Sequence, residues 1–192
     1  MPDELDDESW QLLHAVRLRG IVADGDEVVA VRIVEVGFAA RSPKGLRMTP
    51  EGRAAHTTWA RVPAGETATA VERCYQCFVA LNQELIRVCN DWQVRPGGAP
   101  NDHRDPTYDW GVVDRLVAID DRIGPILRTA ASGATRFGGY RPRLRAARQR
   151  VEAGDPEWLT SPRIDSYHTV WMQLHEDLLL ALGRDRESEG DR

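Results

Sequence analysis

The sequence predicts a mostly α-helical chain, with a small N-terminal unit followed by a bundle of about four helices. Three observations lead there. An apolar stripe with seven-residue spacing, Val71, Cys74, Phe78, Leu81, Leu85, Val88 and Trp92, runs through the longest helical segment, Thr67 to Gln93. Two further segments carry the same periodicity, one after Asp105-Pro106 and one in DSYHTVWMQLHEDLLLAL (165–182). Strand-like β-branched runs are confined to the first 60 residues or so. The domain boundary falls at about residue 65, giving units of 1–65 and 66–192.

The N-terminal unit reads in order as follows. Glu8 to Arg19 spaces Trp10, Leu13 and Val16 as one helix face, with Asp6 or Asp7 as the cap and Gly20 as the stop. Asp26 to Phe38 is two-sided: its leading acids suit a helix N-terminus, whereas Val28, Val29, Val31, Ile33, Val34 and Val36 favour a strand. The order of its neighbours tips it to helix. Ser42-Pro43-Lys44-Gly45 is a turn, Leu46-Arg47-Met48 a short strand, and Thr49-Pro50-Glu51 a capped helix start.

In the second unit, Arg95 to Asp105 is a loop of turn-forming residues. The helix after Pro106 buries Val112, Leu116, Ile119, Ile123 and Ile126, and Gly124-Pro125 kinks or ends it. Pro142 to Ala153 is a short arginine-rich helix that buries Leu144, Ala147 and Val151. The last helix turns Ile164, His168, Trp171, His175, Leu178 and Leu182 inward and ends at Gly183, before a charged tail expected to fray.

The net charge of −5 is unevenly distributed. Residues 3 to 8 hold five acids. Residues 9 to 65 hold eight basic groups against five acidic ones, and residues 136 to 150 hold six arginines and no acid. Each basic zone is either a patch for an anionic partner or a solvated face. No apolar run approaches the ~20 residues of a membrane span. The acidic start lacks the features of a signal peptide, so an intracellular, cytoplasmic protein is expected. Cys74, Cys77 and Cys89 are odd in number, and the CxxC lies inside a helical pattern. They are read as core or half-buried thiols and not as a redox or zinc motif.

Helix, helix, turn, two-stranded wing, helix is the order of a winged helix-turn-helix. LRMTPEGR (46–53) resembles the end of the wing in MarR-like regulators. With LHAVRLRG (13–20), FVALN (78–82), Asp91-Trp92-Gln93, APNDH (99–103), Tyr108-Asp109 and DSYHTVWMQLH (165–175), the whole chain resembles small actinobacterial winged-helix transcriptional regulators. A related helical segment occurs joined to pyruvate phosphate dikinase-like, PEP-utilising enzymes. The resemblance implies a DNA-contacting N-terminal unit, a helical effector or dimerisation domain and a homodimer. DNA contacts would fall to Arg32, Arg41, Lys44, Arg47 and Arg53. The chain departs from that pattern between Gly20 and Phe38, where about a dozen residues are missing. One helix is therefore lost or reduced, and the remaining one offers base edges only Arg32. The alternative is a ligand- or partner-binding helical module, linked to a metabolic enzyme, that does not bind DNA.

The bundle concentrates polar and aromatic groups: Tyr75, Asn82, Trp92, His103, Tyr108, Tyr167, His168, Trp171 and His175. Two readings stand side by side, an effector pocket and a set of core hydrogen bonds and caps in which Asp91, Asn101 and Asp102 tie the 94–105 loop to the bundle. His168 and His175 lie two turns apart, about 10 Å along a helix, too far to share a metal ion. No nucleophile–base order, phosphate loop or dinucleotide glycine pattern is present. No catalytic residue, cofactor or metal is therefore expected.

Overall fold

A computed structural model describes residues 5–23 and 26–184. Asp3, Glu4 and the C-terminal tail lie outside them. The chain divides into two compact units, residues 1–62 with 179–192, and residues 63–178. Eight α-helices and one two-stranded sheet make up the described residues, so the chain is mostly helical.

In the first unit, helix α1 (Asp7–Arg19) is capped by Asp6, whose carboxylate accepts from Ser9 N–H at 3.0 Å, and Gly20 ends it. Residues Glu27–Glu35 form helix α2. The Asp26 carboxylate takes the N–H groups of Val28 and Val29, which outweighs the strand preference of the valines. Strands β1 (Ala39–Ser42) and β2 (Gly45–Met48) form an antiparallel hairpin, with Ala39 opposite Met48. Val22 adds a third rung, exchanging both backbone hydrogen bonds with Leu46 at 2.8 and 3.3 Å. Gly45 has φ 120°, and a Cβ there would collide with the Val22 carbonyl, so the hairpin turn and the Val22 bridge both require glycine. Helix α3 (Pro50–Ala60) starts on Thr49, whose hydroxyl accepts from Gly52 N–H and donates to Gly37 O. Trp10, Leu13, Val16, Ala30, Ile33, Ala39 and Leu46 form the core of this unit.

In the second unit, helices α4 (Glu66–Gln93) and α5 (Pro106–Gly133) are each 28 residues long, about 42 Å. They run antiparallel, with Gly133 set against Thr67. Every residue of the expected α4 stripe is buried. On α5 the helix passes through Gly124-Pro125 instead of ending. Pro125 faces solvent, and Leu127 is buried where Ile126 was expected. A 3-10 turn (Thr135–Gly139) leads into α6 (Tyr140–Glu152), which is followed by a single-turn helix α7 (Glu157–Thr160). Helix α8 (Tyr167–Leu182) begins after Ile164 and is buried over a wider arc than one stripe. Tyr167, Val170, Trp171, Leu174 and Leu178 are each 0 % exposed, while His168 is only partly buried. Phe78 of α4 stacks on Trp171 of α8 at 4.7 Å, Tyr167 of α8 reaches Asp120 of α5, and Tyr140 of α6 reaches Asp177 of α8. These contacts join α4, α5, α6 and α8 in one core. The α4 stripe, which could equally have served a dimer, is therefore used within this unit. No helix of the described residues is long and apolar enough to cross a membrane.

Candidate functional site

The five basic residues expected to contact DNA do not form one set. Arg32 pairs with Asp6, and Arg41 pairs with Glu27 at 2.6 Å, so acids of the same unit already engage both. Lys44 and Arg47 are exposed on the hairpin, and Arg53 is exposed on α3 beside an open groove lined by Met48, Pro50 and Thr57. The outward face of α2 carries Glu27, Val28, Val31 and Glu35, with Val28 67 % exposed. The one donor beside them suited to a base edge, Arg32, is engaged by Asp6.

The nine residues expected at an effector pocket separate into two groups. Tyr75, Asn82, Tyr167, Trp171 and His175 are packed in the bundle interior or at its edge. The indole N–H of Trp171 donates to Asn82 Oδ1 at 2.9 Å. The ring of His175 lies 4.9 Å from that of Phe78 and 6.5 Å from that of Tyr75. Burial holds His168 below the ordinary histidine pKa.

The other group gathers where α4 ends and α5 begins. Asn101 Nδ2 donates to Trp92 O at 3.1 Å and to Asp109 Oδ1 at 2.8 Å. His103 Nδ1 lies 3.0 Å from Asp109 Oδ2, and the His103 ring packs on Trp92 with centroids 4.5 Å apart. His103 has φ 57°, the sole non-glycine residue in the left-handed region among the described residues. Tyr108 OH donates to Asp91 O at 2.9 Å, Arg95 lies over the Tyr108 ring and pairs with Asp105, and Arg115 holds Asp91 at 2.7 Å. The Trp92 indole N–H reaches Pro156 O at 3.2 Å. Asn101 thus ties the loop to both helices, Asp105 caps α5 and Asp91 ties α4 to α5, while Trp92 and His103 line two adjoining clefts. The larger apolar share belongs to the cleft of about 270 Å³ walled by Trp92, Pro106, Trp110, Val113, Val151 and Pro156.

Two buried carboxylates escaped the sequence reading. Asp120, 0 % exposed, accepts through Oδ1 from Arg141 at 2.6 Å and from the Tyr167 hydroxyl at 3.3 Å, while its Oδ2 forms an ion pair, not a hydrogen bond, with Arg148 at 3.3 Å. Asp177, also 0 % exposed, receives Arg136 at 2.9 Å and the Tyr140 hydroxyl at 3.1 Å. Burial, reinforced by the adjacent carboxylates, pushes both phenols well above the ordinary tyrosine pKa. Arg143 pairs with Asp165 and Arg150 with Asp155. Five of the six arginines between 136 and 150 are therefore matched by internal acids, and the zone is neither a free anion patch nor a merely solvated face. Gly124 makes room for one of them, since a Cβ there would lie 3.1 Å from Arg141 Nε.

A third feature is the pair His14 and His56 in the first unit, with Nδ1 and Nε2 2.9 Å apart and Trp59 beside both rings. Nothing in the local sequence spacing marks it. Of the cysteines, Cys74 is buried and Cys89 half-buried, with burial pushing both thiols up to about 12. Cys77 is exposed, which corrects the expectation that all three are sheltered.

Compared with protein-family models, curated proteins and solved structures, the chain matches none of them.

Proposed function

We propose that the chain is a winged-helix transcriptional regulator of reduced form, whose N-terminal unit associates with DNA through its hairpin and whose helical unit holds a small-molecule effector. The observation that carries this reading is the Val22–β2–β1 arrangement between α1, α2 and α3, with Lys44 and Arg47 exposed on the hairpin. Val22, after the first helix, is tied to the hairpin by both backbone hydrogen bonds with Leu46. With Arg32 and Arg41 engaged by acids, the contacts fall to Lys44, Arg47 and Arg53. These are phosphate contacts, which set orientation and not base choice.

Three phosphate contacts give log K against log salt a slope of about −3. The test is anisotropy of a labelled duplex titrated at several salt concentrations, with the chain and with its Lys44→Ser/Arg47→Ser variant. The expected result is binding at low salt with that slope, which the variant reduces by about two. Absence of binding at the lowest salt would overturn the reading.

A second reading, a helical ligand- or partner-binding module that ignores DNA, is favoured by the outward face of α2, with Glu27 and Glu35 flanking Val28 and Val31. Two acids there oppose approach to phosphate. On this reading the hairpin variant behaves as the parent does at every salt concentration.

A further inference from the structure

The cleft beside His103 carries an inference about ligand chemistry. Hydrogen-bond bookkeeping settles the histidine tautomer. The two hydrogens of Asn101 Nδ2 are committed to Trp92 O and Asp109 Oδ1, so neither serves His103 Nδ1, which lies farther away at 3.3 Å. Asp109 Oδ2, a carboxylate oxygen, only accepts. His103 Nδ1 must therefore carry the proton and donate it at 3.0 Å. In the neutral ring this leaves Nε2, at the opposite edge, as an acceptor. The ring is oriented by its contact with Asp109 Oδ2 and by packing on Trp92.

The cleft that His103 and Asp109 line is walled mainly by apolar groups. Trp92, Trp110 and Val113 line the cleft with Pro106 and Pro156, and Trp110 leaves 52 % of its surface exposed. A volume of about 270 Å³ suits a single ring, since sites for drug-sized ligands start at roughly 300 Å³. The charges nearby are internally paired: Arg95 with Asp105, Arg104 with Asp102, Arg150 with Asp155. Among the described residues that line the cleft there is no lysine or arginine to balance an anionic ligand.

We infer that this cleft binds a small uncharged aromatic molecule bearing a hydroxyl, its ring between Trp92 and Trp110 and its O–H donated to His103 Nε2. Asp109, held by Asn101, is a positioning residue that fixes the tautomer. The inference deepens the effector role proposed for the helical unit, and its test uses no DNA, so it stands or falls apart from DNA binding.

The test is a tryptophan-fluorescence titration of the full chain with 4-methylphenol and with 4-methylanisole, the same ring with its hydroxyl capped. A site built to accept a hydrogen bond rejects the capped ring. The expected result is saturable quenching by 4-methylphenol and affinity for 4-methylanisole lower by about tenfold or more. His103→Phe keeps a ring on Trp92 and removes the acceptor, and it should bring the two probes to equal affinity. Should that variant fail to fold, Trp110→Ala, an exposed change, should weaken 4-methylphenol while leaving the melting temperature in place. Quenching that does not saturate at millimolar 4-methylphenol, equal affinity of the two probes for the parent chain, or unchanged discrimination in His103→Phe would overturn the inference.

Discussion

Replacing Asp120 by asparagine keeps the shape of a fully buried side chain and removes its charge. Two donors, Arg141 at 2.6 Å and the Tyr167 hydroxyl at 3.3 Å, converge on Asp120 Oδ1, and the Arg148 guanidinium forms an ion pair with Oδ2 at 3.3 Å. Breaking a buried ion pair by removing one partner costs about 3–5 kcal/mol, because the remaining charge stays uncompensated. Here the guanidinium side chains are 28 % and 17 % exposed, and Arg148 also lies 3.7 Å from Glu152. Partial hydration and that second acid lower the expected cost to roughly 2–4 kcal/mol. At about 2–4 °C per kcal/mol the melting temperature should fall by roughly 5–15 °C. Urea unfolding should show a lower midpoint with an unchanged slope, marking a change in stability and not in compactness. Arg145→Gln, on the exposed face of α6, the helix that carries Arg141 and Arg148, should stay within about 0.5 kcal/mol of the parent. The prediction that Asp120 anchors this network fails if Asp120→Asn unfolds within that same margin. It fails too if a double-mutant cycle between Asp120 and Arg148 gives no coupling, since residues in one network couple by about 0.5–3 kcal/mol.

Three further outcomes follow from the geometry. Asn82→Leu leaves the Trp171 indole N–H without its acceptor in the core and should cost about 1–3 kcal/mol, read by urea unfolding. A thiol reagent added to the folded chain at pH 8 should modify Cys77 rapidly and Cys74 and Cys89 only on unfolding, because burial pushes those two thiols up to about 12. His168 is held below its unfolded pKa by burial, so the unfolded chain takes up its proton first as the solution is acidified. Its contribution is therefore complete above about pH 6.5 and lost as pH falls toward the lowered folded value. His168→Gln should flatten that part of a stability-against-pH curve.

The long helices were legible because their evidence is local. The α4 stripe repeats through seven positions, and Asp105-Pro106 and Thr49-Pro50 announce their helices by cap chemistry. The valine-rich α2 was legible only in context, since its own residues favour strand and the Asp26 cap decides the matter. Pro125 shows the limit of a local signal: its exposed position lets α5 continue past it. The cluster at Asn101, His103 and Asp109 could be gathered from sequence because it spans nine residues, but its separation from Asn82, Trp171 and His175 could not. Trp92 and Asn82 sit ten residues apart on one helix, about 15 Å. Asp120 and Asp177 were invisible because their arginines lie 21 and 41 residues away. A sequence shows the charges there and not their pairing, so a zone of six arginines looked like an outward-facing patch.

The measurement that most directly tests the regulator reading is an anisotropy titration with two duplexes of equal length, the DNA upstream of the coding region and an unrelated sequence, at low and at physiological salt. The result expected on the regulator reading is binding to both duplexes at low salt with little difference between them, because exposed Lys44, Arg47 and Arg53 would meet phosphates while α2 presents Glu27, Val28, Val31 and Glu35. That binding should weaken steeply toward physiological salt. Failure to bind either duplex at low salt would contradict the account, and the function would then rest with the helical unit alone.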